Sequence, residues 1–454
     1  MENQLEAPEL SLGSDNENKP TTPPGEMTLD DLEAILTHTI KYDRDNKLIT
    51  FLCMLSAYTD DSQLNVSFNA PSSSGKTYMT TEIAKLFPEE DKIERSGASP
   101  TSFFYSEGKV DKKLGVKVVS LERKILIFYE QPNPELQKRL RPVLSHDQRD
   151  LKFSNTNKDK KGANRAEQTI IRGFPATVFC SAGLQLDEQE ATRAILLSPE
   201  TTEEKLREGV HLQFQRNANG VKFESDIEAL PDRIALMNRI VAIRDQKVDD
   251  IIIAEPDKIE KRFYETFAKL KPRHMRDSGH LMKLIKAVAL LNLWHRRQAD
   301  GTIVANEADI DHAFQLWSTV IESQDLNVPP AVMNFYKNYI LPAYYEKRDD
   351  PDDGDDISHG FAGLSSQELS NYYMRRERTT LNDEHLRKQI IPQLVNSGMI
   401  AFEQPTYGDR RSRHIFPKWG LEEKNNRFDP NNVGSGGGVL DGMSDEQWEQ
   451  FFGK

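Results

Sequence analysis

The spacing of apolar positions changes several times along the chain, and each spacing predicts a different kind of element. Residues 28–40 and 46–58 have helical spacing, and Thr28 followed by Asp31 is a start signal for the first of these helices. Continuous apolar runs at 64–70, 124–130 and 176–182 are typical of strands covered on both faces and predict a parallel central sheet. Beyond residue 205 the spacing is mainly helical, most clearly at 227–243, 258–270, 279–296 and 309–323.

The C-terminal part of the chain predicts a separate small unit. A helix at 331–348 leads into an acidic loop, and helical segments at 365–374 and 382–399 precede two strands around a basic turn at 400–419. This order, with Gly398 as a helix stop, is that of a winged helix. The pattern divides the chain into a disordered tail (1–27), N-terminal helices (28–60), an α/β core (61–205), a helical lid (206–328), a winged-helix domain (329–422), and a flexible linker ending in an aromatic peptide (423–454).

Composition narrows the class of protein. The 454 residues include 59 Lys and Arg against 72 Asp and Glu, a net charge of −13, which argues against a protein that coats nucleic acid with its whole surface. No apolar run approaches the roughly 20 residues that span a bilayer, and the N-terminus lacks a signal-peptide pattern. Cys53 and Cys180 lie far apart in apolar runs, which excludes a disulfide framework and a cysteine zinc site. We therefore expect a cytoplasmic, nucleoid-associated protein without a membrane partner.

A phosphate-binding loop is the most specific motif. The stretch APSSSGKT matches G-x-x-x-x-G-K-[ST] except at its first position, and it lies between a predicted strand and a predicted helix. Lys76 is suited to reach the β and γ phosphates of ATP, the Thr77 hydroxyl to bind Mg²⁺, and Gly75 to allow close backbone approach. The alternative is a Ser-rich turn. The predicted nucleotide-binding residues are Ala70, Pro71, Ser72, Ser73, Ser74, Gly75, Lys76 and Thr77.

Three further residues complete the predicted catalytic site. Glu130 ends the second apolar run, where a carboxylate would orient the attacking water and help to hold Mg²⁺, although Tyr129 precedes it where an Asp is usual. Ser181 ends the third run, beside the expected γ-phosphate. Arg193 lies where an arginine finger would project into a neighbouring subunit. The alternatives are an arbitrary strand-end Glu and a surface Arg paired with Glu190.

The order of these motifs resembles AAA+ ATPases over roughly residues 61–325. The segments 273–297 and 301–316 are similar to the lids of minichromosome-maintenance-type helicases and of the helicase-like ATPase modules of phage and plasmid replication proteins. That resemblance implies an α/β P-loop core with a parallel sheet, a helical lid and a C-terminal winged helix. It also implies that Arg276, with Arg273 as the alternative, senses nucleotide. The chain departs from the pattern in lacking the usual Asp at 129 and any N-terminal zinc, oligonucleotide-binding or primase domain.

Two basic segments are candidates for DNA contact. Residues 138–172 contain ten basic and four acidic residues, a net charge of +6, between the second and third predicted strands, where related helicases insert a hairpin. Lys158, Lys160 and Lys161 are the predicted tip; a solvated polar loop is the alternative. The turn of the winged helix carries Arg410, Arg411 and Arg413 on its wing, with protein contact as the alternative to DNA contact.

The C-terminal peptide has three aromatic residues on one side of a helical turn. Trp448, Phe451 and Phe452 are spaced i, i+3 and i+4, which resembles the peptides that bind a sliding clamp, although Asp445 stands where Gln is usual. Docking on the protein's own core or on a neighbouring subunit is the alternative.

Together these features predict an ATP- and Mg²⁺-dependent AAA+ motor. We expect a homo-oligomer, in the form of a hexameric ring, that acts on single-stranded or forked DNA in the replication of a mobile genetic element. The alternative is a nucleotide-gated DNA-binding initiator, loader or regulator with weak ATPase activity. A metabolic P-loop kinase is disfavoured because it would have no use for the predicted lid and winged helix.

Overall fold

The computed structural model describes residues 25–96, 108–111, 116–157, 165–181, 192–267, 269–348, 363–405 and 412–421. Within them the strands are, in chain order, β1 Asn65–Asn69, β2 Lys92–Arg95, β3 Lys109–Asp111, β4 Val116–Ser120, β5 Ile125–Phe128, β6 Asp150–Asn157, β7 Arg165–Arg172, β8 Ala176–Ser181, β9 Ile195–Leu197, β10 Ile252–Ile253, β11 Val304–Ala305, β12 Leu364–Ser365, β13 Ile400–Glu403 and β14 His414–Pro417.

The helices of the same residues lie mainly at the start of the chain and after β9. They are α1 Leu29–Thr37, α2 Arg44–Leu55, α3 Lys76–Ala84, α4 Pro134–Leu144, α5 Glu203–Ala218, α6 Gly220–Glu228, α7 Pro231–Asp245, α8 Pro256–Tyr264, α9 His274–Leu291, α10 Leu293–Arg296, α11 Glu307–Leu326, α12 Pro330–Phe335, α13 Leu341–Arg348, α14 Ser366–Glu377, α15 Asp383–His385 and α16 Ile391–Asn396.

A five-stranded parallel sheet lies at the centre of an α/β fold, which confirms the predicted parallel sheet. Its strand order is β2-β5-β8-β1-β9, and every neighbouring pair is parallel. All five strands therefore begin at one edge, here called the amino edge, and end at the other, the carboxyl edge. Asn69 pairs with Ser181 at the carboxyl edge, whereas Asn65 pairs with Thr177 toward the amino edge.

The two faces of this sheet differ in polarity at β1. Val66 and Phe68 point to the face covered by helices and belong to the main apolar core. Asn65, Ser67 and Asn69 alternate with them and point to the opposite face, where they are also buried. A strand that is polar on one buried face needs polar partners there, so this face is where a ligand or a hydrogen-bond network is expected.

The two predicted N-terminal helices are present, and they pack on the apolar face of the sheet. Thr28 and Asp31 form a capping box at the start of α1, and nine of the twelve residues of α2 are buried. The predicted boundary of the N-terminal tail is wrong by a few residues. Met27 exchanges two hydrogen bonds with the side chain of Asn292, and Glu26 pairs with Arg296 at 2.6 Å, so both belong to the folded part of the chain.

A second sheet projects from the chain between β2 and β8. Its order is β3-β4-β7-β6, and β6 and β7 form an antiparallel hairpin in which Asp150 pairs with Arg172 and Asn157 with Arg165. Helix α4 leads into this hairpin and buries Leu136, Leu140, Val143 and Leu144 against it and the central sheet. The predicted hairpin between the second and third apolar runs is present, and residues 158–164 connect its two strands.

The region from α5 to α11 is helical, as the spacing indicated, but two boundaries differ from the prediction. The helical region starts at Glu203, three residues earlier, and the segment at 227–243 is split between α6 and α7 because Pro231 starts a new helix. The longest helices, α9 and α11, pack together. A buried ion pair between Arg296 and Asp309, at 2.7 Å, fixes α10 on α11, and Asn306 forms a capping box with Asp309.

The last described unit has its own apolar core. It contains the predicted order of helix, helix and two strands, and adds β12, giving an antiparallel sheet with the order β12-β14-β13. Gly398, with φ +76°, follows α16 as the predicted stop. A π-helical turn precedes both α13 and α16, each of which has a proline at its second position that cannot donate a backbone hydrogen bond.

Among the described residues, no helix combines the length and apolarity needed to cross a membrane.

Candidate nucleotide site

The loop at 70–77 joins β1 to α3 at the carboxyl edge of the central sheet. Ala70 is buried at the end of β1, which leaves room for only a small side chain there. Gly75 has φ +91° and Ser73 has φ +64°, so the loop turns sharply just before the helix. A side chain at Gly75 would be strained by this backbone conformation. Because no side chain caps α3, its first N–H groups are available to an anion.

The side chains of Lys76 and Ser74 have incompletely satisfied hydrogen-bonding groups among the described residues. Lys76 is only 6% exposed, and its Nζ donates to the carbonyl oxygen of Pro71 across the loop at 3.0 Å. Burial lowers the pKa of the Lys76 ammonium group. The Ser74 hydroxyl is buried and has no hydrogen-bond partner among the described residues. A bound phosphate would supply acceptors for both groups.

Two polar side chains meet beside this loop at the ends of β1 and β8. Asn69 is fully buried; its Oδ1 accepts a hydrogen bond from Ser67 at 3.0 Å, and its Nδ2 has no partner among the described residues. Ser181, predicted to lie near the γ-phosphate, donates to Oε1 of Gln131 at 3.0 Å. The structure therefore places Ser181 at the same edge as the loop. It adds Asn69 and Gln131, which the sequence analysis missed.

The carboxylate predicted to end the second strand lies beyond it. Strand β5 ends at Phe128, two residues earlier than predicted, and Glu130 is exposed without a hydrogen bond or ion pair within the described part of the chain. Tyr129 is half-buried, and its phenol is near Thr81 of α3 and Glu94 of β2. Burial raises the pKa of Tyr129 to about 12, so this phenol stays neutral near pH 7 and is a poor metal ligand.

The residues predicted to bind Mg²⁺ fit a site completed by substrate phosphates. Thr77 has an exposed side chain in the first turn of α3, and the Glu130 carboxylate is exposed. The described residues contain no group of three or more His, Cys, Asp or Glu side chains that could hold a metal ion by themselves. Magnesium usually keeps several waters and binds through one or two protein oxygens together with phosphate oxygens, so this sparse set is sufficient.

Arg193 lies at the opposite edge of the sheet from the phosphate loop. It precedes β9, and its backbone oxygen accepts from Nδ2 of Asn65, at the start of β1. The four residue-to-residue steps from Asn65 to Asn69 span about 13 Å of strand. The side chain is half-buried in its own subunit, with Nε donating to the Ser145 hydroxyl at 2.7 Å. The Arg193 side chain is thus hydrogen-bonded within its own subunit, whereas the sequence predicted that it projects into a neighbouring one. Its action on a neighbouring subunit stays a prediction.

The two candidate nucleotide-sensing arginines have different surroundings. Arg273 is held by Asp277 at 2.9 Å and by Gln324 at 2.8 Å, in a largely buried cluster that joins α9 to α11. These contacts give Arg273 a structural role. Arg276 is exposed and donates to the hydroxyl of Thr192, next to Arg193. Arg276 is therefore the one free to contact a ligand, and it lies at the amino edge, away from its own phosphate loop.

The predicted DNA contacts are only partly within the described residues. Lys158, Lys160, Lys161, Arg410, Arg411 and the aromatic residues Trp448, Phe451 and Phe452 lie outside them. Arg413 is described and exposed.

The helix that a winged helix would offer to a groove has internally paired charges. Arg387 pairs with Asp383 at 2.9 Å, and Lys388 pairs with Glu384 at 2.7 Å. These pairs leave little net positive charge on residues 383–396 for phosphates.

No protein-family model matches this chain, and no curated protein matches it. The geometry of the site therefore carries the functional argument.

Proposed function

We propose that this chain is a MgATP-hydrolysing AAA+ motor that acts on DNA. The observation that carries the proposal is the loop at 70–77. It follows a buried parallel strand, turns through a glycine at φ +91°, starts an uncapped helix, and directs a buried lysine back across itself. This is the arrangement that cradles the phosphates of a nucleotide.

The residues around the loop support roles in hydrolysis. Lys76 exchanges the Pro71 carbonyl for phosphate oxygens, Thr77 and Glu130 hold Mg²⁺, and Glu130 orients the attacking water. When bound, Mg²⁺ neutralises phosphate charge. Ser181, in register with Asn69 at the strand ends, reports the presence of the γ-phosphate to Gln131. Arg193 and Arg276 act on the site of a neighbouring subunit, since both lie at the edge opposite to their own loop.

Action on DNA is supported by the hairpin and its charge. The segment 138–172 has a net charge of +6 in a chain of −13, and the structure forms it into α4 and an antiparallel hairpin of two eight-residue strands. A ring of such hairpins would line a channel with positive charge, which suits single-stranded DNA. The C-terminal unit, with the topology of a winged helix and Arg413 on its exposed turn, supplies a second contact.

A test is to measure ATP hydrolysis by Lys76→Ala and Glu130→Gln with and without single-stranded DNA. We expect Lys76→Ala to lose nucleotide binding, and Glu130→Gln to keep binding while hydrolysis falls by about 10²-fold or more. A strand-displacement assay on forked DNA measures coupling to movement. Unchanged hydrolysis in both variants would contradict the proposal.

The second candidate function is that of a nucleotide-gated DNA-binding initiator, loader or regulator. The observation that favours it is Tyr129, which fills the position of a metal-binding Asp with a neutral, half-buried phenol. Slow turnover that DNA does not stimulate, together with an absence of strand separation, would support this candidate over the motor.

A further inference from the structure

Ser198 follows the last strand of the central sheet and lies beside the end of β1. Strands β9 and β1 pair in register as far as Leu197 and Phe68, so Ser198 comes next to Asn69, the residue that precedes the phosphate loop. The Ser198 hydroxyl donates to the backbone oxygen of Asn69 at 2.6 Å. A side chain thus extends the contact between the two strands by one residue.

The same hydroxyl also binds the C-terminal unit. The backbone N–H of Ala331, in the first turn of α12, donates to the Ser198 hydroxyl at 3.1 Å. Pro329 and Pro330 begin this helix and have no N–H, so Ala331 supplies its first backbone donor. The N-cap residue, Pro329, has no polar side chain with which to cap the helix. Ser198, 133 residues earlier in the chain, therefore acts as a remote cap of α12.

The two contacts of this hydroxyl depend on each other. A carbonyl only accepts and an N–H only donates, so the single hydroxyl proton points to Asn69 and a lone pair faces Ala331. Donation to the carbonyl makes the hydroxyl oxygen a better acceptor. Ser198 is 8% exposed, and its own backbone oxygen accepts from Nδ2 of Asn46 on α2 at 2.9 Å. Because the site is buried and its backbone is held, losing either contact is costly.

Asn69 joins this hydroxyl to the phosphate loop. Its carbonyl belongs to the same planar peptide as the N–H of Ala70, the first residue of the loop, so a contact that fixes one fixes the other. The Nδ2 of Asn69 has no partner among the described residues, which makes it available to a phosphate beside the loop. Nucleotide bound at this place would therefore set the direction of the carbonyl to which Ser198 donates.

The junction before α12 is short and is bordered by a cleft. Asn327 follows α11 in the left-handed conformation, at φ +53°, and three residues later α12 begins. A cleft of about 690 Å³ separates the turn at 271–273 from the end of α16, at Gln393 and Ser397. On this side the C-terminal unit is not packed tightly on the helical region. A change in the direction of α12 can therefore be taken up by opening or closing the cleft.

We propose that Ser198 is a positioning residue through which nucleotide in the phosphate loop sets the orientation of the C-terminal unit. The proposal rests on the proposed function only in taking the loop to bind nucleotide, and it requires neither hydrolysis nor DNA. The coupling is reciprocal, so the orientation of the unit changes nucleotide affinity by the same factor.

The distance between the core and the C-terminal unit tests this proposal directly. Spin labels are attached at Phe214→Cys on α5, which an ion pair fixes to α3, and at Met374→Cys on α14. Both sites are exposed, whereas the native Cys53 and Cys180 are buried. Full-length labelled chains, diluted into unlabelled chains, are measured with and without the magnesium complex of a non-hydrolysable ATP analogue. We expect the analogue to shift the distance distribution with Ser198 or Ser198→Thr, which keeps the hydroxyl, but not with Ser198→Ala.

Affinity for the same analogue gives the reciprocal readout. Ser198→Ala should bind it about fivefold more weakly or worse, and Ser198→Thr should restore the affinity. Lys337→Ala is the matched control, because it breaks an exposed ion pair between the C-terminal unit and Glu322 on α11 without touching Ser198; both the shift and the affinity should persist.

The outcomes separate this proposal from the proposed function. A shift that persists in Ser198→Ala, or a wild type that binds the analogue without any shift, would overturn the role of Ser198 and leave the motor standing. A shift that depends on the hydroxyl in a chain that does not hydrolyse ATP would support the role of Ser198 and remove the motor. Failure of the wild type to bind the analogue would overturn both.

Discussion

The two edges of the central sheet carry different candidate residues of the proposed nucleotide site. The carboxyl edge has the phosphate loop with Lys76, and Asn69 and Ser181 beside it, whereas the amino edge has Arg193 and Arg276. The two groups lie about 13 Å or more apart along β1. The comparison teaches that, under the proposed function, the arginines of one chain would serve the phosphate loop of a neighbouring chain.

The largest effect is expected from removing the arginine of the amino edge. Arg193→Ala should lower ATP hydrolysis by about 10³-fold while nucleotide binding persists, since such an arginine stabilises charge in the transition state. Mixing equal amounts of Arg193→Ala and Lys76→Ala chains should recover about a quarter of wild-type activity. Half of the chains then carry an intact loop and half an intact arginine, so about a quarter of the contacts between neighbouring subunits combine both.

The control for this prediction is Ser145→Ala. It removes the acceptor of the Arg193 tether and leaves the arginine in place, so hydrolysis should stay close to wild type. If mixing restores nothing, or if Arg193→Ala is fully active alone, the two edges do not belong to one shared site.

Acidification should lower the free energy of unfolding through a buried histidine near the amino edge. His146, next to the Ser145 that holds Arg193, stacks on Phe174 at 4.3 Å, and burial lowers its pKa to about 4 although Asp61 lies 3.0 Å away. In the unfolded chain its pKa is about 6.5. Between these values the unfolded chain binds a proton that the folded chain does not, so stability is full above about pH 6.5 and falls by about 3 kcal/mol toward pH 4.

His146→Leu measures this contribution. The free energy of unfolding, followed by denaturant titration at several pH values, should depend less steeply on pH in the variant than in the wild type. Some dependence should remain, because burial also lowers the pKa of His280 to about 3, and that group acts in the same direction. Identical pH profiles for the two chains would show that His146 is not the sensitive group.

The sequence predicted the parts of both edges that depend on local pattern. Apolar runs located β1, β5 and β8, and the glycine and lysine of the loop located the helix start, because these features are fixed by neighbouring residues. Strand β2, with the sequence KIER, was missed because an edge strand needs few apolar residues. Helix α5 was not among the clearest predicted helices because several of its apolar side chains face outward and only Leu212 is buried.

Other residue roles could not be predicted because they depend on contacts with residues that are distant in the chain. The sequence offered Arg276 with Arg273 as the alternative. The contacts of Arg273 with Asp277 and with Gln324, about fifty residues away, show that Arg273 has a structural role. Asn69 was overlooked because 64–70 was interpreted as a uniformly buried strand. The alternation of Asn65, Ser67 and Asn69 with apolar residues was the available signal for a polar face.

Asn69→Leu should change stability and activity in opposite directions. The side chain is buried and its Nδ2 has no partner in the described part of the chain, so an apolar group of similar size should leave the free energy of unfolding unchanged or raise it by about 1 kcal/mol. Hydrolysis should fall by about 10-fold to 100-fold if this amide contacts the γ-phosphate or the attacking water.

Asn65→Leu is the matched control for Asn69, at the other end of the same strand. The Asn65 amide donates to the backbone oxygens of Leu144 and Arg193, so its loss should destabilise the chain by about 1–3 kcal/mol. A loss of stability in Asn69→Leu equal to that in Asn65→Leu, with hydrolysis unaffected, would assign Asn69 a purely structural role.

The smallest effect, and the most local, is expected from Gly75→Ala. A methyl group there meets no atom within 4 Å, so the penalty comes from forcing an L-residue to φ +91° and should be about 1–2 kcal/mol in the free energy of unfolding. Gly301, at φ +89° and equally unobstructed, lies in a turn of the helical region far along the chain from the loop. Gly301→Ala should therefore lower the free energy of unfolding by a similar amount and leave binding of a fluorescent ATP analogue unchanged. Gly75→Ala should weaken that binding about tenfold, because its backbone strain distorts the loop proposed to hold the phosphates. Equal affinities in the two variants would remove the loop at the carboxyl edge from the nucleotide site.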